Sequence, residues 1–499
     1  MRDARGPLRL DDERTIQQLG AALRAADFTV ERVESVLQTH ELSSRPVDTL
    51  VHMRRLTRDD PFSTLTAHFV LGAQVPPAAM RNAVEPIEFE RFLRLGLARL
   101  DGDLLTPLVR LVPHGDYYIA SDLEHESGPE TSSDFVPGIQ APSVTLAKLA
   151  VRRRVGKTLD LGTGCGIQAL LAAKHSEVVV ASDVNPRALS FAAFNLKLNG
   201  VDNVQLRAGD SFDAVEGEDF GLVVSNPPYV ISPDASFFYR DSGLRGDELC
   251  RRIVQRVPQF LEESGFAHLL VSWVHEPGEW AAPLREWLSE DGCDALLLHF
   301  GSQDPVSHSA NWLRPLADAG AGLYAEALDR WLGHLRDLGV EAIGYGAVVL
   351  RRRSFASNWL REEALSLDRL ESAGEHTLRI FAAQDFLDRL RDEHELLRAR
   401  FALADSLRLE ETMTSGGGVF AVEGRTLHLG EGFGFSAGVD RYTAALLPHF
   451  DGETELVDVL AHAVTGVELD DEERERFVPA ALPVVRRLLE LGFLVPARL

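Results

Sequence analysis

Lys157-Thr158-Leu159-Asp160-Leu161-Gly162-Thr163-Gly164-Cys165-Gly166 is the stretch that decides the fold. Its first half is a β-rich run, its second a glycine-rich turn, and Ile167 to Lys174 continue as a helical segment. Glycines permit a tight turn and a close approach of backbone to ligand, while the following helix N-terminus offers unpaired N–H groups. Strand, glycine turn and helix in that order predict a nucleotide-like cofactor; an ordinary glycine turn is the bland alternative. A dinucleotide fingerprint requires a third glycine where Ile167 stands, so NAD is the weaker reading.

Outward from this run, Val178 to Ser182, Val204 to Arg207 and Leu222 to Ser225 are further short β-rich runs, with helical stretches after the first and second strands. Phe266 to Ser272, Asp294 to His299 and Ala342 to Leu350 supply three more candidates. The alternation predicts an α/β fold with a largely parallel, doubly wound sheet of seven strands. Before it, Asp11 to Ala120 reads as helices, with Leu104 to Val112 and Tyr117 to Ala120 as strands around Pro113-His114-Gly115-Asp116. Helices followed by a hairpin suggest a winged helix, used either for nucleic-acid or peptide recognition or, favoured by the acidity of the chain, for packing or dimerisation. Turn-rich Glu126 to Asp134 marks the boundary. After Ser354 come a charged helix at Phe386 to Leu397, a hairpin at Gly416 to Val422 and Arg425 to Leu429, and two or three helices from Arg441 to Val495. The expected domains are thus 1–125 (helical, winged-helix-like), 134–353 (catalytic α/β) and 354–499 (winged-helix-like α/β).

Composition agrees with a multidomain globular chain: 499 residues, 45% hydrophobic and 25% charged. A net charge of -25 works against holding a phosphate backbone, which needs Lys and Arg on the binding face. The 3 cysteines are far apart and the 16 histidines show no metal-ligand spacing, so reduced thiols and no metal are expected. With no apolar signal core and no long apolar run, the expected compartment is the cytoplasm and no membrane partner is expected.

Carboxylates recur at successive strand ends, beyond which ligands of open parallel sheets bind. Asp183 is placed to accept from both ribose hydroxyls, Asp160 to face a cationic moiety, and Asp210 in Asp210-Ser211-Phe212 to meet an adenine amino group while Phe212 packs on the ring. A helix cap or turn is the structural alternative for each. The fourth strand delivers Asn226-Pro227-Pro228-Tyr229, the most specific signal in the chain. Its prolines remove two donors and leave carbonyls free, so an amide or exocyclic amine can donate to the Asn226 oxygen and the Pro227 carbonyl while Tyr229 stacks on the flat group. In the loop that follows, Tyr239, Arg240 and Asp241 are candidates for lining the substrate pocket, with Arg240 and Asp241 gripping a carboxylate or amide. His275, in Trp273-Val274-His275-Glu276, reads as structural.

Asp160-Leu161-Gly162-Thr163-Gly164-Cys165-Gly166, Asp183-Val184-Asn185-Pro186 and Asn226-Pro227-Pro228-Tyr229 together resemble class I methyltransferases, in particular the HemK-type glutamine N-methyltransferases and their small-domain relatives that modify RNA bases. The resemblance covers about 134–353 and is similar to large actinobacterial variants with both flanks; Tyr442 to Val495 loosely resembles PqqD-like peptide-binding modules. It implies a seven-stranded sheet with an antiparallel last strand, and S-adenosylmethionine converted to S-adenosylhomocysteine. It also implies cofactor binding by Asp160, Gly162, Thr163, Gly164, Gly166, Asp183, Val184, Asp210, Ser211, Phe212 and Asn226. Asn226, Pro227 and Tyr229 would be catalytic, and Pro228, Tyr239, Arg240 and Asp241 would contact substrate. The leading expectation is N-methylation of a glutamine-type amide in a protein or peptide. Methylation of adenine or guanine amino groups in RNA or DNA uses the same tetrapeptide, and a noncatalytic cofactor-binding scaffold is the third reading.

Overall fold

A computed structural model describes residues 8–39, 46–56, 59–123, 132–234, 239–240, 243–288, 292–354, 357–416, 419–466 and 471–497. The chain divides into two compact units, Met1–Leu146 with Arg153–Glu363, and Ala147–Arg152 with Ala364–Leu499.

The first unit is built on a mixed sheet of β1 (Val155–Leu161), β2 (Ser176–Asp183), β3 (Val204–Ala208), β4 (Phe220–Ser225), β5 (Leu261–His275), β6 (Cys293–Gln303), β7 (Ala342–Arg352) and β8 (Leu360–Ala364), in the order β8-β6-β7-β5-β4-β1-β2-β3. β1 pairs parallel with β2 and β4, β2 with β3, and β4 with β5, whereas β7 runs antiparallel to β5 and β6. The seven expected strands are all present, and β8 adds an eighth at the edge. All six residues of β4 are buried, as a parallel strand covered on both faces requires. Register aligns Leu161 with Ser182 on one side and with Ser225 on the other. The motif loops therefore leave the sheet side by side, at β1, where strand order reverses and a crevice opens.

Helices α1 (Ile167–Ala173) and α2 (Pro186–Asn199) cover the sheet beside the N-terminal region. That region is helical up to Arg94 and then forms two antiparallel hairpins, Ala98–Asp101 with Leu104–Pro107 and Arg110–His114 with Tyr117–Ser121. The single strand expected over Leu104 to Val112 is thus split between two hairpins, with the break falling at Pro107. Phe28, Phe62, Phe69 and Phe92 share one apolar core with Phe191 and Phe194 of α2, so the N-terminal region and the sheet fold as one body. Polar bonds fix the seam: fully buried Asn195 accepts from Ala120 N at 2.8 Å and donates to Ala120 O at 2.9 Å and Cys165 O at 2.8 Å. The boundary expected at Glu126 to Asp134 lies largely outside the described residues.

Between β6 and β7 stands an insertion for which the sequence reading assigned no element: α3 (Pro305–Leu313), a 3-10 turn (Arg314–Ala319) and α4 (Ala321–Asp337). Asp304 caps α3 by accepting from Val306 N at 2.8 Å and Ser307 N at 3.1 Å. Leu313 and Trp331 pack on Val230, and Leu335 on Ile231, so the insertion covers the segment just past Tyr229.

In the second unit, Arg400–Leu403 lies between Asp451–Glu455 and Leu494–Pro496, while Leu407–Gly416, Val419–Leu429 and Ser436–Gly438 form a separate antiparallel sheet. The charged helix expected at Phe386 to Leu397 is two helices, Gly374–Arg389 and Glu393–Arg398, because Asp392 caps the second through Glu395 N at 3.0 Å.

Candidate active site

A cavity of about 600 Å³ opens at the carboxyl ends of β1, β2 and β4. It is in the size range of ligand sites. Asp160, Gly162, Thr163, Gly164, Asp183, Val184, Asp210, Ser211, Asn226, Pro227, Pro228 and Tyr239 all line it. Twelve positions expected from four separate motif segments and a loop therefore converge on one space.

The glycine turn is built for close approach. Gly166 has φ +88°, and a Cβ there would come within 3.1 Å of the Ala192 Cβ, so it braces the turn against α2 rather than lining the cavity. Gly162 N and Thr163 N donate to Ser182 O at 2.9 Å each, tying the turn to β2. Gly164 N donates to Asp183 Oδ2 at 2.9 Å, and Asn185 N to Asp183 Oδ1 at 2.8 Å. Burial nevertheless raises the Asp183 carboxyl above its ordinary range, against those bonds. Asp160 is 1% exposed; burial is the main cause that lifts it to about 7, opposed by hydrogen bonds from Thr163 Oγ1 at 2.7 Å and Ala169 N at 3.0 Å and reinforced by the Asp183 charge. Two desolvated carboxylates at the end of the cavity favour a ligand that carries positive charge and hydroxyl donors. Ser211 adopts φ +51°, a left-handed conformation that costs a non-glycine residue about 1 kcal/mol or more.

At the end of β4 the Oδ1 of Asn226 is buried and has no hydrogen-bond partner among the described residues. An unmet buried acceptor costs roughly 1–3 kcal/mol. Asn226 lines the cavity beside two prolines, which contribute no N–H there.

Besides Gly166, three expected residues lie elsewhere. Phe212, expected on the cofactor ring, is fully buried and stacks on Phe260 with centroids 4.4 Å apart. Tyr229 packs its ring against the apolar core on the β4–β5 side, where burial pushes its hydroxyl well above the tyrosine range, and its carbonyl accepts from Ser272 Oγ. Arg240 faces Asp234, at 3.7 Å, and the ring of Trp331. Asp241 lies outside the described residues. His275 is bonded to Ser302 Oγ at 2.7 Å, in line with a structural role.

Sequence reasoning missed other lining residues. Phe135, Val136, Pro137 and Gly138 form one wall, held by Val136 N donating to Asp122 Oδ2 at 2.8 Å while buried Asp122 pairs with Arg187 of α2. Gln168 donates to Ser143 O at 2.7 Å on the same wall, and Arg252 and Arg256 come from the helix Glu248–Arg256. Only the i, i+4 arginine spacing was a readable signal. Among the described residues no group of three or more His, Cys, Asp and Glu could hold a metal ion, and no helix is long and apolar enough to cross a membrane.

The family described as "Methyltransferase small domain" matches residues 140–272, the segment that supplies most of this cavity. A protein of Methanocaldococcus jannaschii, described as a candidate protein N5-glutamine methyltransferase, is 32% identical over 137 residues, 26% of this chain and 68% of its own length. The chain belongs to the HemK-type family of class I methyltransferases. A release factor glutamine methyltransferase of Xylella fastidiosa is 31% identical over 159 residues, 29% of this chain and 57% of its own. A ribosomal protein uL3 glutamine methyltransferase of Bradyrhizobium diazoefficiens is 35% identical over 127 residues, 22% of this chain and 39% of its own. The chain thus spans about half the length of several curated relatives, and the likeness is to the methyltransferase core. The flanks of this methyltransferase match two domains of unknown function, DUF7059 at residues 25–108 and DUF7782 at residues 378–496.

Proposed function

We propose that this methyltransferase core transfers a methyl group from S-adenosylmethionine to the side-chain amide nitrogen of a glutamine in a protein or peptide. The observation that carries the proposal is Asn226, which lines the cavity beside Pro227 and Pro228 and whose buried Oδ1 has no partner among the described residues. A primary amide supplies the donor that this acceptor lacks. Accepting one amide N–H at Asn226 Oδ1 and the other at the Pro227 carbonyl holds the nitrogen in a single orientation, and such positioning lowers the barrier to attack on an already activated methyl. The amide proton leaves to solvent after transfer.

S-Adenosylmethionine, when bound, supplies an electrophilic methyl on a sulfonium. Asp160 would hold its cationic end, Asp183 the ribose hydroxyls, and Asp210 with Ser211 the adenine edge, with Gly162 to Gly164 and Val184 as backbone and apolar wall. The fit rests on two desolvated carboxylates whose hydrogen bonds, among the described residues, come from a hydroxyl and backbone N–H groups. Tyr239 and Pro228 are assigned to the acceptor side, with Tyr229 as a positioning residue whose carbonyl is fixed by Ser272. We assign residues 1–125 to buttressing the core, 134–353 to catalysis and 354–499 to a winged-helix-like accessory role, and the reaction to the cytoplasm. Relatives described by release factors and a ribosomal protein as substrates support the protein acceptor.

The test is mass spectrometry of acetylated, amidated peptides containing one glutamine after incubation with S-adenosylmethionine and the full chain. The expected product is N5-methylglutamine, with asparagine peptides unmodified. Methylation confined to added RNA or DNA would overturn the assignment.

A further inference from the structure

A second cavity of about 310 Å³ lies beyond the tetrapeptide, lined by Ser232, Pro233, Asp234, Leu244, His334 and Leu338, among others. Leu244 lines both this cavity and the larger one, so the two adjoin. One wall is α4 of the insertion, where Trp331, His334, Leu335 and Leu338 recur at i, i+3, i+4 and i+7 as one inward stripe. Three of the four are apolar; Trp331 and Leu335 pack on the segment after Tyr229. His334 is the exception. Its Nε2 is buried and has no partner among the described residues.

Bonds to α4 fix one side of the pocket. Asp234 on its floor accepts from Trp331 Nε1 at 3.0 Å and pairs with Arg330 at 2.9 Å, so its carboxylate is already engaged. At the mouth, exposed Arg245 and Asp337 carry opposite charges that balance. Apolar Pro233, Leu244 and Leu338 line the pocket together with His334, whose unmet Nε2 lies behind that lining, and this combination suits a side chain with an apolar stem and an uncharged polar tip. Its volume stands at the small end of the range of ligand pockets.

We infer that this pocket is a specificity subsite which receives the hydroxyl or amide side chain of a residue flanking the acceptor glutamine, with His334 as its hydrogen-bonding group. The inference rests on the peptide-amide reading above. It makes the insertion between β6 and β7 a substrate selector.

The experiment uses the full chain, S-adenosylmethionine and heptapeptides with a central glutamine, each flanking position carrying in turn Ser, Gln, Leu, Lys or Glu, at pH 8. Wild type is expected to prefer Ser or Gln over Leu about tenfold in kcat/KM at one flanking position, with the difference in KM, as one hydrogen bond would give. His334→Leu should erase that preference and keep wild-type kcat on the Leu peptide and wild-type cofactor affinity, whereas His334→Gln should keep it. An identical flank profile in wild type and His334→Leu would overturn the subsite while leaving glutamine methylation standing. Cofactor binding without transfer to any peptide would overturn the peptide reading and the subsite together.

Discussion

At the amino end of β6, Asp294 is fully buried and fully met: Arg351 donates from Nε at 3.1 Å and Nη2 at 2.6 Å, Arg353 from Nη1 at 3.3 Å, and Asn358 Nδ2 lies at 3.4 Å. At the carboxyl ends of β1 and β4, and among the described residues, Asp160 is as deeply buried with a hydroxyl and one N–H for company, and Asn226 Oδ1 has no partner. One sheet thus carries a completed polar cluster at one end and an incomplete one at the other. Folding alone completes the first, whereas on the proposed reading the second is left for ligands to complete.

Substitutions can break that contrast. The largest effect is expected from Asn226→Ala, which should lower kcat/KM for methyl transfer by about a thousandfold, the loss seen when a preorganised polar group is removed from a reacting centre. Cofactor affinity, measured by calorimetry, should stay within about twofold. Asp294→Ala reverses the pattern: it leaves Arg351 buried without its carboxylate and should cost about 3–5 kcal/mol in denaturant unfolding. Transfer per folded molecule should be unchanged.

Asp160 sharpens the contrast through pH. Its carboxyl titrates near 7 in the free protein against 3.8 for the ordinary group. Between those values the folded state keeps a proton that the unfolded chain has lost, so this group's contribution to stability falls as pH rises through the window. A cationic ligand prefers the carboxylate, so affinity for S-adenosylmethionine should drop about tenfold per unit below pH 7 and level off above it. Raised Asp183 acts in the same direction. Asp160→Asn should flatten the calorimetric pH profile. The smallest effect is expected at Gly166, where Gly166→Ala forces a side chain into φ +88° against Ala192 and should cost about 1–2 kcal/mol, read as a fall in Tm of a few degrees.

Much of the incomplete end was legible in the sequence, because its parts are local. A glycine turn after a strand, an acid at the next strand tip and two prolines after an asparagine each constrain backbone within a few residues. The resulting loops meet because register aligns Leu161 with Ser182 and Ser225. What stayed hidden depends on packing between distant segments. Nothing local shows that Phe212 turns away to stack on Phe260, that Tyr229 sinks into the core, or that Asp122 and Arg187 pin Val136 to the cavity wall. The insertion at 304–341 escaped for the same reason: its amphipathic stripe has meaning only against Val230 and Ile231. The eighth strand, Leu-Arg-Glu-Glu-Ala, is polar and short, as an edge strand can be.

The most direct measurement is the unfolding free energy of Asn226→Ala beside wild type, in urea and without ligand. If the Asn226 oxygen awaits a substrate amide, removing it relieves an unmet buried acceptor, and stability should stay within about 0.5 kcal/mol of wild type or rise. A loss of about 2 kcal/mol or more would show that Asn226 serves the fold, and would contradict the account.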